Sequence, residues 1–219
     1  MRTGELLSLQ RRPDQVVHRD ELLFQVTHQA TELWLKLACA EVSQATRLVG
    51  AGLIEAAMLL LERALLAVRL VTEQLEMLRH LALSDFQVIR TALGNGSGFE
   101  SPGWRGVHRV SRDLDTAFGK ALSEAGVTLL DVYRGSAADP LFRLAEALVS
   151  WDERIGFWRV QHYQIAVRMI GAASVGTHGT PVDVLAKRID QRFFPDLWQV
   201  RNELTDTGPM AASTAGSPR

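Results

Sequence analysis

The chain has 219 residues, of which 47% are hydrophobic and 22% are charged, and its formal net charge is -1. A charge so close to zero offers no basic surface for a phosphate backbone or an anionic membrane, so neither nucleic acid nor a membrane is an expected partner. The single cysteine, Cys39, excludes an internal disulfide and a cysteine-rich zinc site. Residues 1–13 lack the apolar core of a signal peptide, so we expect a soluble, cytoplasmic protein.

Apolar residues at helical spacing predict three helices in the first part of the chain. The first covers residues 21–49, with its apolar positions at Leu23, Val26, Leu33, Leu37 and Val42. The second covers residues 53–81 with an apolar stripe at Leu61, Leu65, Val68, Val71, Leu75 and Leu78. The third begins with Ser84 as its N-terminal cap and ends at residue 93. Residues 94–98 are rich in glycine and predict an irregular loop.

Helical patterns also follow that loop, although they are less regular at first. We expect a helix over residues 107–125 that ends at Gly126, and another that begins at Pro140 and runs to about residue 170, before Gly171. A second glycine loop covers residues 176–181, followed by a helix over 182–192 and a short one over 197–204. No segment alternates as a strand does, so the predicted fold class is all-α, a helical bundle in a single domain over residues 1–204. Residues 205–219 are predicted to be a disordered tail.

Six histidines occur, and no two of them have the spacing of a helical zinc or di-iron carboxylate motif. A lone histidine can still bind haem iron, because the porphyrin supplies the four in-plane ligands. His162 lies in a helical segment beside Trp158, and His28 lies one turn after Phe24. Taken alone, either position is more simply explained as an ordinary structural histidine.

Arg90 lies one turn after Phe86, immediately before the first glycine loop. Its guanidinium could bind a carboxylate in bidentate fashion, or it could pair with Asp85 or with the helix end. Neither glycine loop has the spacing of a phosphate-binding loop or follows a strand, so nucleotide binding is not expected.

Whole strings of sequence give a more specific indication. Residues 20–36 read DELLFQVTHQATELWLK, and a second string is Arg90-x-x-Leu93-Gly94-x-x-Ser97-Gly98-Phe99-x-Ser101. A third contains Trp158-Arg159-x-x-His162, then Arg168-x-Ile170-Gly171 and Gly176-Thr177-x-Gly179, and a fourth is Phe194-Pro195-x-Leu197-Trp198. In this order the strings resemble those of the tryptophan 2,3-dioxygenase superfamily, of which the chain resembles a compact, divergent member.

The resemblance implies an all-helical enzyme of the tryptophan/indoleamine dioxygenase type, with b-type haem as cofactor and O2 as co-substrate. It implies that His162 is the axial ligand of the haem iron and that Trp158 and Ser97 bind the cofactor. The reaction would insert O2 across the C2–C3 bond of the indole of L-tryptophan or a close derivative and give N-formylkynurenine. The family also implies a homotetramer or homodimer.

The substrate-binding residues implied by the resemblance are Phe24, His28, Phe86, Arg90 and Thr177. His28 would be the catalytic residue, beside the indole N–H, and Phe24 would pack against the ring. Arg90 would pair with the substrate carboxylate, and Thr177 would hold the amino and carboxylate groups.

Three departures from the family pattern leave other functions open. Phe86 occupies the position of a tyrosine, so a hydroxyl is absent there. The sequence begins close to the first matching helix, so either its true start lies upstream or the pocket is closed differently. Residues 99–145 form a shorter region than in the family, and His178 replaces a glycine, either as a solvent-facing residue or as a contact to substrate or haem.

Two alternative functions therefore stay open. One is a haem-dependent monooxygenase or hydroxylase of a modified tryptophan or other aromatic amino acid in secondary metabolism. The other is a helical haem-binding or scaffold protein without turnover.

Overall fold

A computed structural model describes residues 1–93, 101–176 and 181–207 of the chain. These residues form nine α-helices and one 3-10 helix without any β-strand, which confirms the predicted all-α class. The α-helices are α1 (Thr3–Leu7), α2 (Glu21–Gly50), α3 (Ile54–Glu73), α4 (Leu83–Ala92), α5 (Pro102–Ala125), α6 (Leu129–Arg134), α7 (Pro140–Ile170), α8 (Asp183–Ala186) and α9 (Pro195–Asp206), and the 3-10 helix covers Gln74–His80 between α3 and α4.

The long helices agree with the prediction at most of their ends. Helices α2 and α7 have nearly the predicted bounds, and α5 ends at the predicted residue. Gly126 and Gly171 follow α5 and α7 with φ angles of 66° and 84°, a backbone conformation that favours glycine and stops each helix there.

Several predicted boundaries and caps were wrong. The second helix changes to 3-10 geometry at Gln74. Ser84 is not the cap of α4, because the N-cap position is Ala82 and the Ser84 hydroxyl donates to Asp85 Oδ1 instead. The helix predicted over residues 182–192 is limited to α8, and α9 continues to Asp206, two residues into the predicted tail. Residues 208–219 lie outside the described residues, and the single-domain boundary stays a prediction.

Helix α2 buries a face that matches the predicted one only in part, at Val42. Its fully buried residues are Leu35, Ala38, Val42 and Ala45, whereas Val26, Leu33 and Leu37 from the predicted stripe are 42–48% exposed. The apolar spacing therefore identified the helix correctly, but the helix is apolar on more than one face.

The described residues fall into two compact units. The first contains Met1–Cys39, Leu66–Val107 and Arg154–Gln191. Its core is a cluster of buried side chains, namely Leu75, Leu78, Leu81, Phe86, Ile89, Ile165 and Met169. Phe24 and Trp158 pack against this cluster, so the core of the first unit supports residues from α2, α4 and α7 that belong to the candidate site.

The second unit contains Ala40–Leu65, His108–Glu153 and the chain from Arg192. Two buried polar groups organise it. The indole nitrogen of Trp151 donates to Ser111 Oγ at 2.8 Å. The carboxylate of Asp152 accepts from the amides of Phe193 and Phe194 at 2.7 and 3.2 Å and from the indole nitrogen of Trp198 at 3.0 Å. These bonds fix the start of α9 to α7 within this unit.

Across the described part of the chain, every helix is too short or too polar to span a lipid bilayer.

Candidate active site

Phe24, His28 and Phe86 form a row of aromatic rings in the first unit. The centroids of the Phe24 and His28 rings are 4.1 Å apart, and their planes are inclined by 30°. The rings are neighbours because positions 24 and 28 are one helical turn apart on α2. The Phe86 ring on α4 is buried and lies 5.7 Å from that of Phe24. The core of the unit therefore fixes the position of the Phe24 ring, and the Phe24 ring packs against the His28 imidazole.

A hydrogen bond fixes the protonation of the His28 ring. Its Nδ1 lies 2.8 Å from the carbonyl oxygen of Phe24, and a carbonyl can only accept, so Nδ1 carries the proton. Burial lowers the pKa of His28, against the opposing effects of this hydrogen bond and of the Glu32 charge. The neutral ring therefore presents Nε2 as an acceptor. By surface area the residue is exposed, although neighbouring protein atoms crowd its ring, so Nε2 is accessible to a ligand.

His162 lies on α7 and is half-buried. Its ring is stacked on Trp158 with a centroid distance of 4.8 Å and an angle of 7° between the planes. Burial, followed by the charge of His28, lowers the pKa of His162 to about 4. No side chain or backbone group among the described residues makes a hydrogen bond to its ring nitrogens. The residue is therefore a neutral imidazole whose lone pair is available to a ligand.

The two histidines lie within electrostatic range of each other. A positive charge on His28 disfavours a second one on His162, although the two residues belong to different helices, α2 and α7. Both residues belong to the first unit. The two imidazoles, which the sequence pattern indicates separately, therefore lie within range of a charge–charge interaction.

Arg90 lies at the last turn of α4 and is half-buried. One of its terminal nitrogens, Nη2, donates to the carbonyl oxygen of Val175 at 2.5 Å. The guanidinium carries five N–H groups, so this bond leaves donors for a carboxylate. The alternative pairing of Arg90 with Asp85 is not seen among the described residues; the bond instead ties α4 to the segment just before the second glycine loop.

Three residues of the predicted site lie outside the described residues. These are Ser97 in the first glycine loop, and Thr177 and His178 in the second. Their roles stay predictions.

A polar anchor that was not predicted from the sequence fixes the start of α5. The Glu32 carboxylate on α2 accepts from the Ser101 hydroxyl, and from the backbone N–H of Gly103 at 2.8 Å. Ser101 Oγ in turn accepts from the backbone N–H of Trp104 at 3.0 Å, as an N-terminal cap does. The Ser101-Pro102 pair, with a cap residue followed by a first-turn proline, is the sequence signal that could have revealed this helix start.

Taken together, these features define a class of protein. Among the described residues, only His18, Asp20 and Asp85 form a group that could hold a bare metal ion, and neither His28 nor His162 belongs to it. Lone neutral imidazoles on separate helices suit an all-helical haem protein instead, because the porphyrin supplies the other iron ligands.

Comparison with known proteins identifies the family. The family model described as tryptophan 2,3-dioxygenase matches residues 1–116. The chain is 30% identical to the tryptophan 2,3-dioxygenase of Myxococcus xanthus, over 95% of this chain and 89% of that protein. It is 31% identical to the tryptophan 2,3-dioxygenase of Caulobacter vibrioides, over 91% of this chain and 95% of the relative. The chain therefore belongs to the tryptophan 2,3-dioxygenase family, a family of haem oxygenases.

The residues present fit the haem that this family uses. A histidine that serves as an axial ligand must be neutral and have a free nitrogen, and His162 meets that requirement. Trp158, beside it, has a buried indole nitrogen without a hydrogen-bond acceptor among the described residues. A buried N–H without a partner is costly, and a carboxylate such as a haem propionate could accept from it.

Proposed function

We propose that this chain is a haem-dependent dioxygenase that inserts O2 across the C2–C3 bond of the indole of L-tryptophan or a close derivative, giving N-formylkynurenine. The observation that carries the proposal is the pair of desolvated, neutral imidazoles in the first unit. His162 has a ring nitrogen that makes no hydrogen bond among the described residues and is suited to iron. His28 presents the lone pair of Nε2, which is suited to an indole N–H.

His162 would hold b-type haem through its free imidazole nitrogen, with Trp158 packed against that ring. When bound, the haem iron supplies the site at which dioxygen is bound and activated. Ser97 would approach the haem edge, as the family resemblance implies. The low pKa of His162 favours this role because protons do not compete with iron for the nitrogen near neutral pH.

The substrate would lie against the aromatic row, with its indole ring on Phe24 and close to Phe86. His28 Nε2 would accept a hydrogen bond from the indole N–H, since Nδ1 is committed to the Phe24 carbonyl. Arg90 would bind the carboxylate, and Thr177 would hold the amino and carboxylate groups. Fixing both ends of the substrate limits the ring to one pose, which is how contacts far from the reacting bond raise the rate.

One observation favours a second candidate function, a haem-dependent monooxygenase or hydroxylase of a modified aromatic amino acid. Phe86 brings no hydroxyl to the pocket, whereas the family resemblance expects a tyrosine there. A pocket without that hydroxyl can accept a less polar or a substituted substrate.

Turnover by the haem-loaded, ferrous protein tests the proposal. With L-tryptophan and ¹⁸O2, we expect N-formylkynurenine that carries two labelled oxygen atoms. A product with one labelled atom would favour the monooxygenase, and a haem-loaded protein that converts neither L-tryptophan nor its ring-substituted derivatives would contradict both enzymes. His28→Ala should keep its haem and lose most of the turnover.

We also propose that the protein is a cytoplasmic homo-oligomer, a dimer or a tetramer. Exposed apolar side chains on α2 support self-association, namely Leu22, Val26, Leu33 and Leu37. Light scattering coupled to size exclusion should give a mass that is a multiple of 24.3 kDa. A monomer at micromolar concentration would contradict this part of the proposal.

A further inference from the structure

Trp104 is an aromatic residue of the first unit that has no part in the proposed function. It lies on the first turn of α5, and its ring centroid is 3.8 Å from that of Trp158. Trp158 is in turn stacked almost parallel to His162, with an angle of 7° between the planes. Three rings from two helices, α5 and α7, therefore form one row that ends at the imidazole.

The backbone of Trp104 is held in place by the anchor described above. Its N–H donates to Ser101 Oγ, and Ser101 and Gly103 both bond to the carboxylate of Glu32. Glu32 lies on α2, one helical turn after His28. The position of the Trp104 ring is thus coupled to the helix that carries the other histidine of the site.

A metal-binding histidine usually has its ring orientation fixed by a hydrogen bond from its second nitrogen to a carbonyl or carboxylate. No such bond reaches His162 from any residue in the ranges 1–93, 101–176 and 181–207. The stacked contact with Trp158 restricts rotation of the imidazole about its Cβ–Cγ bond. Trp158 packs against the core cluster of the first unit, and Trp104 is a second aromatic ring in contact with it, which limits its tilt further.

We infer that Trp104 is a positioning residue for the iron ligand: by packing on Trp158 it fixes the plane of the His162 imidazole and so the geometry of the iron–nitrogen bond. This inference rests on the proposed role of His162. It predicts that aromatic character at position 104, and not volume alone, determines how firmly the haem is held.

Two variants and a control separate positioning from simple space filling. Trp104→Leu keeps an apolar side chain but removes the aromatic face, whereas Trp104→Phe keeps a face. Trp34→Leu is the matched control, since Trp34 lies on an exposed face of α2 and has no ring contact among the described residues. All are loaded with haem, and two properties are measured: the iron–imidazole stretching band in the resonance Raman spectrum of the ferrous protein, and the rate of haem loss to an excess of a haem-scavenging globin.

For Trp104→Leu we expect a broadened or shifted iron–imidazole band and haem loss that is between about two and ten times faster, the range that one aromatic contact can produce. Trp104→Phe and Trp34→Leu should match the unmodified protein within about twofold. A Trp104→Leu protein with an unchanged band and rate would overturn the inference, as would a Trp104→Phe protein as strongly affected as Trp104→Leu.

Should Trp104→Leu lose its helical circular dichroism, Ser101→Ala provides the same test, because it keeps all three aromatic side chains but removes the hydroxyl that holds the backbone of Trp104, which frees the Trp104 ring to shift. The same band broadening is expected, and an unchanged band and rate would overturn the inference. A failure of the proposed function is recognised separately: His162→Ala would then show the same iron–imidazole band as the unmodified protein.

Discussion

Replacing Gly103 with alanine tests the contact between α5 and α2 in the first unit. A Cβ atom at position 103 would lie 2.7 Å from Leu35 Cβ, 2.8 Å from Leu35 Cδ1 and 2.7 Å from Glu32 Oε2. Optimal contacts between carbon atoms are about 3.5–4.0 Å long. Because Leu35 Cβ is attached directly to the backbone of a long helix, it cannot rotate away, and α5 itself must shift.

Overpacking of this kind costs about 1–3 kcal/mol, whereas exchanging glycine for alanine in a helix gains up to about 1 kcal/mol. We therefore expect Gly103→Ala to lower the free energy of unfolding by about 1–2 kcal/mol, since the gain is smallest at a helix end. The shift would also strain the hydrogen bond from the Gly103 amide to Glu32.

Gly119 provides the control, because it lies in the same helix, is exposed and would have no atom within 4 Å of an added Cβ. Gly119→Ala should raise the free energy of unfolding by about 0.5–1 kcal/mol. Urea unfolding followed by far-UV circular dichroism measures both, and the midpoints should move in opposite directions. If Gly103→Ala proves as stable as the unmodified protein, the close approach of α5 to α2 is not as described.

Three further predictions concern charge and hydrogen bonding. The folded protein keeps His162 neutral down to a pKa of about 4, against 6.5 for an ordinary histidine, so the unfolded chain binds more protons between these values. We expect this residue to reduce the free energy of unfolding of the haem-free protein by up to about 2 kcal/mol from pH 7 to pH 5; urea unfolding of His162→Leu should lack that part of the loss. Arg90→Ala should keep its haem and weaken substrate binding by about 10- to 100-fold, the cost of a charged hydrogen-bond pair; a spectral titration with an unchanged dissociation constant would remove Arg90 from the site. Asp152→Asn places an amide NH2 group opposite backbone and indole N–H donors, so at least one donor loses its acceptor. We expect the free energy of unfolding, measured by thermal or urea unfolding, to fall by about 2–3 kcal/mol; an unchanged value would mean that these bonds contribute little.

The sequence predicted the long helices well because their signals are local. The stripe from Leu61 to Leu78 is continuous in the chain, and its members are buried apart from the half-buried Leu65. Helix α6 also had a local signal that was overlooked, a capping box formed by Thr128 and Asp131.

The helix predicted over residues 182–192 failed for a reason that lies elsewhere in the chain. Arg159 Nη1 donates to the carbonyl oxygen of Gln191 at 2.5 Å, so a residue 32 positions earlier in the sequence holds the end of this segment in a turn. Helix propensity is a weak preference that such tertiary bonds override. Nothing within residues 182–192 could have indicated it.

In the candidate site, too, contacts within one helix could be predicted from the sequence, whereas contacts between helices could not. His28 and Phe24 share a face of one helix, so their contact could be predicted from spacing alone. The proximity of His28 to His162 followed only from resemblance to a family, because it depends on how α2 and α7 pack. Trp104 was missed for the same reason, since its contact with Trp158 joins residues 54 positions apart in the printed sequence.

Haem titration of the purified protein tests the central claim, the iron–imidazole bond at His162, most directly. We expect the unmodified protein and His80→Ala, a variant of an exposed histidine of the same unit, to bind one equivalent of haem with a sharp Soret band. His162→Ala should fail to reach this stoichiometry. A His162→Ala protein that binds one equivalent with an unchanged spectrum, or an unmodified protein that binds none, would contradict the account.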